Sequence, residues 1–410
     1  MNKNSPFANR SFLFILITAF LSVMGIGIVI PVLPFLISQF VPSEHLAWYT
    51  SILIALYALC QLFAAPVLGA ASDAFGRRPI LLLCQLGSAI GYIVFAIAGS
   101  LPLLFVGRAI DGITGGDIST AFAYIADITK PEERGKYFGI IGATVGFSFI
   151  IAPSIGGLLS LVSLRAPFYA AAAITLVNMI YGYFFLPESL ALANRTNDFT
   201  VKHLNPIAPL SHVLKNSRIR SILSVGLVYY LAFSVMTSIM AVFYKDTFSW
   251  NAANIGAFLM LVGIGDIITQ GYLAGKLSEK YGPRPLVLTG FLLTGIAFAL
   301  NFFLPSHSIV ALVFVFVVLY AFGSGLFEPS YSGLISESAG ADEQGRVSGA
   351  SQSVQSLTQI IGPLAGAAMY QVSHSLPWVI MVMLSLLGAF VVWRIIPKRG
   401  EIDVTTAVSA

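Results

Sequence analysis

Residues Gly69 to Pro79 read G-A-A-S-D-A-F-G-R-R-P, and a weakened copy, G-K-L-S-E-K-Y-G-P-R-P, occupies Gly275 to Pro285. At a constant offset of 206 the pairs Gly69/Gly275, Ser72/Ser278, Asp73/Glu279, Gly76/Gly282, Arg78/Arg284 and Pro79/Pro285 coincide. The offset is close to half of the 410 residues, so the chain reads as two related halves. Each copy lies between two apolar runs long enough to cross a bilayer as a helix, which takes about 20 residues.

Composition agrees with that reading. The chain is 57% hydrophobic and 10% charged, with a mean hydropathy of +0.86, against roughly 25% charged residues in an ordinary soluble protein. A soluble fold of this length cannot bury so much apolar surface. Twelve apolar segments follow one another, over about 11–37, 47–68, 79–99, 102–126, 137–162, 167–187, 219–244, 253–275, 285–304, 308–334, 347–371 and 375–394. They are too long and too continuously apolar for the alternating strands of a membrane barrel. The first run is longer than the core of a cleavable signal and is read as an uncleaved membrane helix. Cys60 and Cys84 fall inside predicted helices, which speaks against a disulfide, and two cysteines make no metal site.

Charge placement gives the topology. Of the 22 basic residues, all but Arg108, Arg165 and Lys245 fall in segments on the side of the N-terminus. The positive-inside rule makes that side, with both termini, cytoplasmic. The net charge of +4 then reflects topology and contact with anionic lipid headgroups rather than nucleic-acid binding. The long polar break after Pro187 divides the chain into an N-terminal six-helix bundle (1–187), a cytoplasmic linker (188–218), a C-terminal six-helix bundle (219–394) and a cytoplasmic tail (395–410).

The Gly69–Pro79 loop resembles the signature of the major facilitator superfamily, and the resemblance covers nearly the whole chain. Gly107-Arg108 followed by Gly112, Gly115 and Gly116 resembles the fourth-helix arginine motif of that family. Gly142, Gly146, Pro153, Gly156 and Gly157 resemble the helix-five motif associated with antiporters, with Ala152 where glycine is usual. Met24 to Pro34 is similar to the first helix of drug:proton antiporters, and the combination looks most like the tetracycline-exporter branch. The resemblance implies an all-α membrane protein of twelve transmembrane helices in two pseudo-symmetric bundles, in the bacterial cytoplasmic membrane. It implies a cytoplasmic latch built on Asp73 and Arg77, with Asp127 a plausible partner, and a helix-five seal that limits leak. Exporters of that branch carry acids in helices one, three and nine, where this chain has Ser22, Gly91 and Thr294. Another placement of the coupling acids, and another cargo, are implied.

The residues give their own reasons. Gly69 and Gly76 allow a tight turn and close helix approach, Pro79 suits the first turn of a helix, and Arg77 and Arg78 can pair with carboxylates or phosphate headgroups. Small residues spaced along helix five let two membrane helices pack closely. The sharpest signal is charge inside the spans, because an ionisable group at mid-membrane costs about 3 kcal/mol even on the lenient insertion scale. Arg108, Asp111, Asp117, Asp266 and Glu328 are such groups. Arg108 and Asp111 are i,i+3 neighbours and can neutralise each other. On an unbroken helix Asp117 lies half a turn out of phase with Arg108 and needs another partner or a proton. A carboxyl group withdrawn from water favours its neutral form, the property a proton carrier requires. The candidates in order are Asp117, Asp266, Asp111 and Glu328. Gln61, Tyr124, Asn178, Tyr230, Phe233, Phe327 and Gln355 are candidates for lining a cavity, although in such proteins aromatics more often face lipid or core.

No phosphate-binding loop, metal cluster or serine–histidine–acid set is present, so no cofactor, metal or enzymatic activity is expected. The expected function is proton-coupled export of a small amphipathic or lipophilic compound by a monomer that meets membrane lipids, protons and its cargo. The alternatives are proton-coupled uptake of a metabolite and a transport-inactive membrane sensor.

Overall fold

The computed structural model of the chain describes residues 10–196, 216–307, 309–338 and 344–395. Lys3, the middle of the predicted linker and the predicted tail beyond 395 lie outside the described residues. Helices α1 to α7 span Arg10–Ile37, Ser43–Phe75, Arg77–Ile97, Leu101–Ile113, Asp117–Ile128, Pro131–Ser160 and Ala166–Phe185. Helices α8 to α14 span Ser217–Phe248, Ala252–Ile268, Gly275–Tyr281, Pro283–His307, Val310–Ser338, Gln344–Val372 and Leu376–Ile395. A π-helical stretch, Thr269–Ala274, joins α9 to α10. No strand occurs among the described residues.

Among the described residues, ten helices are long and apolar enough to cross a membrane. The other two predicted spans are present but built differently. The fourth, expected as one helix over 102–126, is two: α4 ends at Ile113, and α5 begins at Asp117 after the turn of Thr114, Gly115 and Gly116. The eleventh is α13, 29 residues long. It carries Ser348, Ser351, Gln352, Ser353, Gln355, Ser356, Thr358 and Gln359, which lower its hydropathy. Twelve membrane-crossing segments result.

The helices group into two compact units. One comprises Met1–Pro206 with Trp250–Met260, and the other Ile207–Ser249 with Leu261–Ala410. The start of α9 thus groups with the first unit. In that unit Phe12, Phe14, Ile15 and Leu16 of α1 form a buried cluster with Tyr124 and Ile125 of α5 and Ile141 of α6. The core of the second is aromatic: the Tyr229 and Phe327 rings stack with centroids 3.6 Å apart, and Phe327 stacks on Tyr331 at 5.3 Å. Both repeated loops turn at glycines of positive φ, Gly76 at 108° and Gly282 at 79°, a conformation that side chains with a Cβ avoid.

Helix α6 packs through glycine over only part of its length. A Cβ on Gly156 would come within 2.7 Å of the Ile28 carbonyl oxygen on α1, and one on Gly157 within 2.8 Å of the Ala252 carbonyl oxygen on α9. Facing it, a Cβ on Gly256 would lie 2.6 Å from the Pro153 carbonyl oxygen. Among the described residues a Cβ on Gly142 or Gly146 would meet nothing within 4 Å, so the close packing found along the motif belongs to its Pro153–Gly157 end.

That difference sets a test. Gly156→Leu must displace the α1 backbone and is expected to destabilise the first unit by about 1–3 kcal/mol, the usual cost of overpacking. Gly142→Leu, with open space, is expected to leave the melting temperature of the detergent-solubilised protein at the wild-type value in scanning fluorimetry.

Candidate functional site

In the first unit the break between α4 and α5 builds a polar cluster inside the apolar bundle. Arg108, 2% exposed, donates through Nη1 to Asp111 Oδ2 at 3.3 Å, as the i,i+3 spacing predicts. Its guanidinium also lies over the Tyr57 ring of α2, 4.1 Å from the centroid, a cation–π contact worth more when desolvated than at a surface. Gln61, one turn after Tyr57, donates from Nε2 to the Gly115 carbonyl at 3.0 Å and to the Tyr57 hydroxyl at 3.2 Å. A side chain predicted to line a cavity thereby satisfies a backbone group released by the broken helix.

Asp117 opens α5, so its carboxyl group sits at a helix N-terminus, where the helix dipole favours negative charge. It is 5% exposed and accepts from the Ser22 hydroxyl of α1. One turn away, Asn178 Nδ2 donates to Thr18 Oγ1 at 2.9 Å and to Gln85 Oε1 at 3.1 Å. The helix break puts Asp117 at a helix start and leaves its partner on α1, an arrangement the unbroken-helix reading of the fourth span did not contain.

In the second unit Asp266 of α9, just before the π-helical stretch, accepts from Ser324 Oγ of α12 at 2.7 Å. Such single-turn irregularities are frequent at functional sites. One turn beyond Ser324, Glu328 accepts from the Tyr230 hydroxyl at 3.2 Å. No basic side chain pairs with Asp117, Asp266 or Glu328 among the described residues, whereas Asp111 has Arg108. Phe233 lines a small cavity with Thr294, Phe298, Tyr320 and Ser385. The Tyr320 hydroxyl has no hydrogen-bond partner among the described residues, although the residue is 3% exposed. Phe327 is wholly buried in the aromatic core, and Tyr124 is core too, its hydroxyl donating to the Pro187 carbonyl at 2.9 Å. Gln355 is half-buried on α13.

Of the three positions, Ser22, Gly91 and Thr294, at which the resemblance implies acids in exporters of that branch, two lie beside acids supplied from the broken fourth span. Ser22 donates to Asp117. A Cβ on Gly91 would stand 3.0 Å from the Asp111 Cβ. The third, Thr294, lines the small cavity of the second unit.

The loop residues converge as well. Arg77 pairs with Asp73 at 2.6 Å and Asp127 at 3.2 Å and donates to Ser72 Oγ at 2.7 Å. Gly69, expected to ease a close helix approach, has nothing within 4 Å of its Cβ position. A residue the sequence reading passed over completes the group. Glu188 Oε1 accepts from the Arg77 backbone N–H at 2.9 Å, its Oε2 from that of Arg78 at 3.3 Å, and it pairs with Arg195 at 3.6 Å. It thus caps the N-terminus of α3 from the far end of the bundle. Its only sequence signal was being the first charge after the sixth span. Arg78 donates to the Tyr183 carbonyl in the last turn of α7, and its repeat mate Arg284 donates to the Trp393 carbonyl in the last turn of α14 at 2.7 Å. Each favours the negative end of a helix dipole. Pro283 stands where the first loop has Arg77, so the second loop lacks that arginine.

Two units of membrane-crossing helices, with carboxyl groups inside the spans of both, define a multi-pass membrane protein that holds ionisable groups within its bundles. The family model described as Major Facilitator Superfamily matches residues 15–273 and 222–407. The chain is 34% identical to the class C tetracycline resistance protein of Escherichia coli, with 92% of this chain and 95% of that one covered. It is 29% identical to multidrug resistance protein 2 of Bacillus subtilis, covering 96% and 98%. Among solved structures, the human organic anion transporter MFSD10 matches with a TM-score of 0.71 at 23% identity, over 93% of this chain and 99% of that one. The chain belongs to the major facilitator superfamily, whose fold of twelve helices it has.

The Arg108–Asp111 pair makes a quantitative prediction. Arg108→Leu strands a buried carboxylate and is expected to cost about 3–5 kcal/mol, whereas the double variant Arg108→Leu with Asp111→Leu is expected to recover most of it. Thermal melts of the single and double variants measure the difference.

Proposed function

We propose that the protein exports a small amphipathic or lipophilic compound across the cytoplasmic membrane in exchange for protons. The observation that carries this reading is the set of carboxyl groups within the spans, Asp117 buried and Asp266 and Glu328 half-buried, each held by a hydroxyl and none by a basic side chain among the described residues. Such a group is costly to keep charged in a low-dielectric interior and can cross neutral with a proton or bind a cation. The relatives' names, tetracycline resistance and multidrug resistance, support export rather than uptake and a drug-like cargo. The absence of acids at Ser22, Gly91 and Thr294 favours a cargo other than tetracycline.

In this reading an external proton neutralises a buried carboxyl group, the cargo leaves, and the proton is released to the cytoplasm as the two six-helix bundles rock about a midplane site. The Asp73–Arg77–Asp127 cluster, with Glu188, acts as a latch for one of the two states. Both termini and that latch lie on the cytoplasmic side, as the distribution of basic residues supports.

Everted vesicles energised by respiration test the reading. A compound panel is expected to contain at least one cargo whose addition releases protons from the lumen. Asp117→Asn and Asp266→Asn are expected to lower gradient-driven flux by about two orders of magnitude, a size typical of losing a proton-transfer group, at unchanged expression. Gradient-driven uptake into whole cells would instead establish symport.

A further inference from the structure

Two serines in different units stand in the same relation to a carboxyl group within the spans. In the first unit Ser22 Oγ lies 2.8 Å from the Thr18 carbonyl of its own helix, four residues back, and also meets Asp117 from α5. In the second, Ser324 Oγ lies 2.8 Å from the Tyr320 carbonyl, again four residues back, and 2.7 Å from Asp266 of α9. Ser324 also has the Ala321 carbonyl at 3.4 Å. A serine hydroxyl has one hydrogen and two lone pairs. Facing two acceptors, it can donate to only one of them at a time.

We propose that Ser22 and Ser324 are rotating hydroxyl switches that let Asp117 and Asp266, rather than Asp111 and Glu328, take up and release protons; the proposal rests on the proton-coupled reading above. With the carboxylate ionised, the serine donates its hydrogen to the carboxylate oxygen. With the carboxyl group protonated, the acid's O–H donates to the serine lone pair, and the serine hydrogen turns to the carbonyl one turn back. The carbonyl loses little when the hydroxyl turns away, because it still accepts the N–H of its own helix. Every buried polar atom keeps a partner in both states, and the only net change is the one proton gained or lost by the carboxyl group. A fixed donor would satisfy one state and strand a buried group in the other.

The other two acids within the spans have different surroundings. Asp111 also meets the Ser88 side chain, but the fixed positive charge of Arg108 stands beside it whichever way a hydroxyl turns. Glu328 accepts from Tyr230, whose hydroxyl has no second acceptor among the described residues. The titratable groups that face Asp117 are Asp111 of α4, Tyr57 of α2, and Cys84 and Tyr92 of α3. Those facing Asp266 are Tyr229 of α8 and Tyr320 and Glu328 of α12. None of them is a basic group. Asp117 also has a side-chain hydrogen bond with Gln85; in each unit the serine is the partner whose single hydrogen can turn to a second acceptor.

The switch is tested by comparing two processes in the same everted vesicles, with a cargo that wild-type protein moves. Proton-driven accumulation requires each carrier to pass through both protonation states, whereas counterflow of labelled against unlabelled cargo, with no gradient, requires only binding and rocking. Ser22→Ala and Ser324→Ala are each expected to lower driven accumulation by about tenfold or more, the scale of one hydrogen bond to a charged acceptor, while counterflow stays within about twofold of wild type. Ser22→Thr and Ser324→Thr, which keep the hydroxyl, are expected to restore driven accumulation. Driven accumulation at the wild-type rate in both alanine variants overturns the switch, and so does a parallel fall of both processes. If wild-type protein shows no driven transport with any cargo, the proton-coupled reading itself fails; if it does and the alanine variants match it, the switch alone fails.

Discussion

Withdrawing a carboxyl group from water is the constraint around which this structure is arranged. The lipid-facing exterior can be satisfied by nearly any apolar sequence, but each buried acid needs a partner placed to within a few tenths of an ångström. Four acids lie within the spans, Asp111 and Asp117 buried and Asp266 and Glu328 half-buried, and they are satisfied in two ways. Asp111 has a permanent counter-charge in Arg108, itself held over Tyr57. Asp117, Asp266 and Glu328 have uncharged partners among the described residues, the hydroxyls of Ser22, Ser324 and Tyr230, with Gln85 also at Asp117. A counter-charge fixes a state; a hydroxyl, which can donate or accept, leaves the acid free to change its own.

The backbone is bent to the same end. A continuous fourth helix would have turned Asp117 away from the Arg108 face with no partner of its own. The turn at Thr114–Gly116 restarts the helix at Asp117, so that the carboxyl group gains a helix N-terminus and comes against α1. The broken ladder has its own cost, and Gln61 reduces it by donating to the freed Gly115 carbonyl. In the second unit a π-helical stretch directly follows the Asp266 turn, so each unit departs from regular helix beside its hydroxyl-bound aspartate.

Duplication explains what the halves share and where they part. Gly76 and Gly282 both turn with positive φ, and Arg78 and Arg284 both close the last turn of their unit's final helix. The first loop adds Arg77, where the second has Pro283, and around it Asp73, Asp127 and Glu188 gather. The part of the loop that both units share is therefore the part that ends a helix, and the Arg77 cluster is built on a residue that the second loop does not carry.

The sequence by itself determined the membrane class, the number of crossings, the internal duplication and which acids lie within the spans. Those properties reside in hydropathy, spacing and the rarity of charge in apolar runs, which are local quantities. It also determined the Arg108–Asp111 pair, because i,i+3 spacing on one helix is a local geometry. Only the tertiary structure decided the partners of the remaining acids. Ser22 and Asp117 are separated by 95 residues, and Ser324 and Asp266 by 58, and a serine in a membrane helix carries no mark of what it will face. Glu188 was likewise invisible, since its role is to meet the start of a helix 111 residues earlier in the chain. A hydrogen bond across helices depends on register, tilt and the position of a helix break, none of which is written in any one segment.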